Sequence, residues 1–176
     1  MGTGNTKLVD YGIQNEKSDI RAHVCPLVGC VYAFKTKDGR ACVESGKYPA
    51  SSAFTGDTET ARGYLVPPRN IPGCHQIKIP AALLAVVNLQ EHEDTIEKGN
   101  KAVLIISELL KKGLFPIDLI PKDVADKDLQ VEGVDIIIAL EARIQVKCDY
   151  RGGPKAYGGT GNLFLQVSEC NPHKKY

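Results

Sequence analysis

The chain has 176 residues, 22 lysines and arginines against 21 aspartates and glutamates, and 43% hydrophobic residues with no tryptophan. That length holds one ordinary domain with a core of its own, and the near-neutral total argues against a strongly basic, sequence-blind nucleic-acid binder. The longest apolar run, 79–87, is broken by Pro80 and falls far short of the ~20 residues a bilayer requires, which excludes membrane insertion.

The first six residues contain no apolar core of a secretory signal, which predicts a cytoplasmic protein. Met1-Gly2 with Thr6 fits the loose myristoylation pattern, but no polybasic segment lies nearby to supply a second anchor. Six scattered cysteines in a chain that can fold without crosslinks predict reduced thiols. The charge is unevenly laid out. Residues 1–80 carry ten basic and seven acidic side chains, 81–142 six and twelve, and 143–176 six and two. An acidic middle between basic ends is compatible with a metal-binding centre beside a surface that meets phosphates.

In chain order, Val31–Thr36 and Arg40–Glu44 flank Lys37-Asp38-Gly39, which predicts a hairpin with Asp-Gly supplying the positive-φ position. Residues 48–72 are rich in Pro, Gly, Ser and Thr and read as loop, with one short strand over Gly63–Val66. Pro80 opens a predicted helix over Ala81 to about Leu89. A stronger helix follows. Asp94 with Glu97 is a capping-box pattern, Ala102, Val103, Ile106, Leu109 and Leu110 fall on one stripe, and Lys111-Lys112-Gly113 supplies a basic last turn and a terminating glycine. Strands are then predicted at 114–120, 130–138, 142–148 and, beyond a glycine-rich loop, 162–168. Helices followed by β-branched strands indicate an α/β or α+β sheet domain.

Asp135 opens an apolar strand, while Gln145 and Lys147 are two apart on the next and so project from one face. If the two strands are neighbours, a carboxylate, an amide oxygen and an ammonium converge. Metal-assisted phosphodiester hydrolysis needs such a group: oxygen ligands for a hard cation that activates water, and a cation to stabilise developing negative charge.

Asp135 followed by Gln145-Val146-Lys147, behind a helix running from Glu97 through Val103 to Gly113, resembles the PD-(D/E)XK nuclease superfamily. The likeness is nearest to members with Gln in place of the second acid, such as some intron homing endonucleases. It covers about residues 94–150. It implies a restriction-endonuclease-like mixed β-sheet flanked by helices over 81–176, with 1–80 as a β-rich amino-terminal region that helps recognise substrate. It further implies hydrolysis of DNA with Mg²⁺ or Mn²⁺ by a homodimer. Asp135 would ligate the metal, Gln145 and the backbone carbonyl of Val146 would complete that site, and Lys147 would be the catalytic lysine. Glu97 is a candidate catalytic acid, with the capping-box role as its structural alternative. Where relatives with this helix pattern usually carry glutamate, four residues after Gly99, this chain has Val103. That position favours a second expectation, a nuclease scaffold without catalysis that binds nucleic acid or protein.

Downstream, Arg151 and Lys155 in the glycine-rich loop are candidate phosphate contacts, with Tyr150 and Tyr157 able to pack on sugars or bases; the alternative is an ordinary solvated loop. Cys25, Cys30, Cys74 and His75 form a possible but poorly spaced zinc set, with buried thiols as the alternative. Gly161 is not followed by the Lys-Ser/Thr of a phosphate-binding loop, and the chain contains no Gly-x-Ser-x-Gly or His-Glu-x-x-His motif.

Overall fold

A computed structural model describes residues 12–55, 58–90, 93–116, 119, 129–132, 135–138, 142–149 and 161–169. The described elements are β1 (Ile20–Cys25), β2 (Cys30–Lys35), α1 (Thr36–Glu44), β3 (Ala50–Thr55), β4 (Thr58–Val66), a 3₁₀ turn (Pro68–Asn70), β5 (His75–Lys78), α2 (Ala81–Val87), α3 (Thr95–Lys111), β6 (Leu129–Glu132), β7 (Asp135–Ile138), β8 (Ala142–Cys148) and β9 (Leu163–Glu169). They form a six-stranded sheet in the order β5-β2-β1-β8-β7-β6 and a three-stranded sheet in the order β3-β4-β9. The α+β class expected from the strand and helix pattern is what the chain adopts. In the large sheet β1 and β8 run parallel and the other neighbours antiparallel. Neither sheet parts at residue 80: β1, β2 and β5 pair into the same sheet as β6 to β8, and β9 completes the sheet begun by β3 and β4.

β1 is paired along both edges, by β2 and β8, and each of its faces is covered by a separate core. Ile20, Ala22 and Val24 join Ile144 and Val146 of β8 in a core packed under α3, through Ala102, Val103, Ile105, Ile106 and Leu109. The helix stripe read from the sequence is thus the one that is buried. Its start is capped as expected, with the Glu97 N–H donating to Asp94 Oδ1 at 2.8 Å, and Gly113 takes the left-handed conformation beyond its end. On the other face Cys25 and Phe34 pack with Val43 of α1, Val66 of β4, and Leu163 and Leu165 of β9. The helices α2 and α3 therefore lie on one side of the large sheet, and α1 with the small sheet on the other.

Several elements differ from the sequence expectation. The Asp38-Gly39 hairpin does not form: 36–44 is the helix α1, and β2 pairs instead with β1 across Pro26–Gly29. Tertiary packing overrides the turn signal. Thr36, Gly39, Cys42 and Val43 are buried at helical spacing, and Gly39 lies so close to Phe34 that a Cβ there would be 2.6 Å from its ring. The stretch 48–72 is mostly strand, since β3 and β4 bond to each other and β4 to β9 despite their Ser, Thr and Gly content. The single strand expected over 130–138 is two, β6 and β7, paired antiparallel with Glu132 opposite Asp135. The strand expected over 114–120 is absent from its described part, where Phe115 and Leu119 are buried but lie in no strand. The helix expected to reach Leu89 ends at Val87, where Asn88 turns left-handed.

Candidate functional site

Strand pairing aligns the residues that carry the motif. β7 and β8 are neighbours, and Asp135 is the register partner of Gln145. On the other side of β8, Gln145 is the partner of Arg21 and Lys147 of His23. Directly paired residues share a face, and neighbouring strands lie ~4.8 Å apart, so one row runs from Asp135 through Gln145 to Arg21, with Lys147 and His23 in the next. The side chain of Asp135 lies outside the described residues, as do Arg151, Lys155, Tyr150 and Tyr157.

Gln145 and Lys147, both half-buried, line a cavity of about 270 Å³ together with Glu16, Lys17 and Arg143. Beneath it lies a buried polar network that sequence reading had not singled out. Arg21 is fully buried, with its Nε 3.4 Å from Glu16 Oε2, and that same oxygen accepts a hydrogen bond from the Ser18 hydroxyl at 2.8 Å. His23 is 1% exposed; its Nδ1 lies 3.4 Å from Asp149 Oδ2, and its ring stacks on Phe34 at 5.6 Å. Asp149 Oδ2 also accepts the Phe164 N–H at 2.9 Å, tying β9 to the end of β8. Among the described residues, Arg21 Nη1 and His23 Nε2 are buried without a hydrogen-bond partner. Burial pushes the His23 pKa below its ordinary value; the hydrogen bond to the Asp149 carboxylate opposes this, and the positive charges of Arg21 and Lys147 add to it. At neutral pH this imidazole is uncharged.

The sequence did contain a signal for these residues. Ile20-Arg-Ala-His-Val24 alternates strictly, which on its own reads as a half-solvated strand. Only the placement of β1 between β2 and β8, under the small sheet, turns its polar face into a buried one.

Other candidates lie elsewhere. Val146 is 4% exposed and faces the opposite core, so only its backbone carbonyl is available to a ligand at Gln145 and Lys147. Glu97 sits in the first turn of α3, which packs on the Ile144 and Val146 face, and its carboxylate is 3.9 Å from Lys101. The fold does not bring it to the face of Gln145 and Lys147. Val103 is buried in the core. The five described cysteines are free thiols. Cys25 and Cys30 are register partners, but burial raises the Cys25 pKa, and it pushes Cys74 to about 11 and Cys148 to about 12. Among the described residues no group of three or more His, Cys, Asp or Glu side chains is placed to hold a metal ion, and no helix is long and apolar enough to cross a membrane.

No protein-family model, no curated protein and no solved structure matches this chain.

Proposed function

We propose that the chain is a metal-dependent nuclease that hydrolyses DNA phosphodiester bonds, built on a restriction-endonuclease-like sheet. The observation that carries this reading is the convergence of Gln145 and Lys147 in one cavity with Asp135 as the register partner of Gln145. On this reading Lys147 stabilises the charge that develops on the scissile phosphate, helped by Arg143 and Lys17 on the same wall. Gln145 and Asp135 would hold Mg²⁺ or Mn²⁺, which when bound would supply Lewis-acid activation of a water. Glu16 adds a carboxylate to the cavity, restrained by Arg21 and Ser18. The enzyme works in the cytoplasm as a homodimer that cuts two strands with two copies.

The positions of Val103 and Glu97 favour a second reading. One is buried in the core and the other is on the helix across the sheet, so neither delivers a helix carboxylate to the cavity. A scaffold that binds nucleic acid or protein without cutting needs none.

Nicking of supercoiled plasmid in Mg²⁺ separates the two. Wild type is expected to cut, and Lys147→Ala and Asp135→Ala to lose on the order of 100-fold or more. Cleavage by Lys147→Ala at the wild-type rate overturns the assignment. Cleavage by neither wild type nor variants, with no Mn²⁺ binding by calorimetry, establishes the inactive scaffold.

A further inference from the structure

A second cavity, of about 400 Å³, adjoins the first at the start of α1. Its wall carries Lys17, Lys35, Lys37 and Arg40 against Glu16 and Asp19. Glu16 is ion-paired with the buried Arg21, while Asp19 keeps its negative charge. Glu16 Oε2 serves Ser18 and Arg21, and Asp19 Oδ2 accepts the Arg143 N–H at 3.1 Å. Arg40 is held rigidly, with Nε donating to the Ile13 carbonyl at 3.2 Å and Nη2 to that of Glu16 at 2.8 Å, but carbonyls do not neutralise its charge. Lys17, Lys35 and Lys37 form no ion pair among the described residues. With Glu16 paired to Arg21, the cations of this wall face only the charge of Asp19, and the cavity carries a net positive charge. Lys35, at the N-cap of the nine-residue α1, provides no side-chain cap, but the Thr36 N–H is taken by the Asp19 carbonyl and Asp38 lies in the first turn, so the cavity's charge comes from the side chains of its wall and not from the helix start.

The two cavities share Glu16 and Lys17. Asp19 fixes them relative to each other. Its N–H donates to the Arg143 carbonyl at 3.0 Å, its carboxylate accepts the Arg143 N–H, and its carbonyl accepts the Thr36 N–H at 3.0 Å. A rigid pair of adjoining cationic cavities suits a chain of repeating phosphates better than a single anion.

We propose that the α1 cavity is a second phosphate site, which takes backbone phosphates of the same DNA strand whose scissile phosphate lies at Lys147. The identity of the strand rests on the nuclease reading; the anion site itself does not. Phosphate contacts of this kind set register and affinity without reading sequence. The strand leaves Gln145 and Lys147, crosses Lys17 and enters the cavity beside Lys35 and Lys37.

The test is anisotropy of a fluorescein-labelled duplex with the full chain in EDTA, where no cutting occurs, across a range of salt. Lys35→Ala/Lys37→Ala changes two exposed side chains, and Lys47→Ala/Lys112→Ala serves as a control of equal charge. The first pair is expected to weaken binding on the order of 10- to 100-fold near 0.1 M salt and to lower the slope of log K against log salt by about 1.8, while the control leaves the slope unchanged. Equal slopes for the two pairs overturn the proposal. So does a titration with sodium phosphate that shifts the amide resonances of 36–39 while the duplex fails to bind, because the cavity then serves a free phosphorylated molecule. A reduced slope in a protein that neither nicks plasmid nor binds Mn²⁺ upholds the phosphate path and rejects the nuclease reading alone.

Discussion

Asp149 makes a sharp test of how the two sheets are joined. Its carboxylate is 7% exposed, accepts the Phe164 N–H at 2.9 Å and faces His23 Nδ1 at 3.4 Å. Replacing it with alanine removes a hydrogen bond to a charged acceptor, in the range of about 1.5–3 kcal/mol, and strips an acceptor from the Phe164 N–H, for which a further ~1–3 kcal/mol is the general scale. The two losses overlap and Phe164 is only half-buried, so about 3 kcal/mol is expected for Asp149→Ala. With a urea dependence of about 2 kcal/mol/M, the unfolding midpoint falls by about 1.5 M. Asp149→Asn keeps an oxygen for Phe164 and is expected to lose only about 1 kcal/mol. Hydrogen exchange locates the damage: amides of β9 exchange faster in Asp149→Ala, while those of α3, across the large sheet, change less. A midpoint shift under about 0.5 M for Asp149→Ala, or equal losses for Ala and Asn, refutes the idea that this carboxylate clamps the small sheet.

His23 and Gly39 give two further expectations. The folded protein depresses the His23 pKa, so as pH falls through ~6.5 the unfolded chain takes up a proton that the native state refuses. Stability contributed in this way is present above pH ~6.5 and declines below it, approaching about 1.4 kcal/mol per pH unit. Comparing urea unfolding of wild type and His23→Gln between pH 7.5 and 5.5 checks this, and identical slopes contradict it. At Gly39, an added methyl would sit 2.6 Å from Phe34 Cε2 and 2.9 Å from Ile13 Cδ1. Overpacking of about 1–3 kcal/mol outweighs the ~1 kcal/mol helix-propensity gain, so Gly39→Ala lowers the melting temperature. A rise would mean that α1 is not seated against Phe34.

Local chemistry in the sequence was enough to determine α3, because its cap, stripe and terminating glycine all lie within one stretch of chain and interact at short range. It also placed β8 and β9 closely and put Gln145 and Lys147 on one face, since strand alternation is a backbone property. Tertiary structure alone decided the rest. Asp38-Gly39 reads as a turn until Phe34 and Ile13 bury that glycine in a helix, and the Ser- and Thr-rich β3 and β4 form a sheet in which β9, a hundred residues away, pairs with β4. The buried neighbours of Gln145 and Lys147 were hidden for the same reason. Arg21 and His23 lie beside them through the parallel pairing of β1 with β8, and Glu16 lines the same cavity; pairings that span more than 120 residues leave no trace in any local pattern.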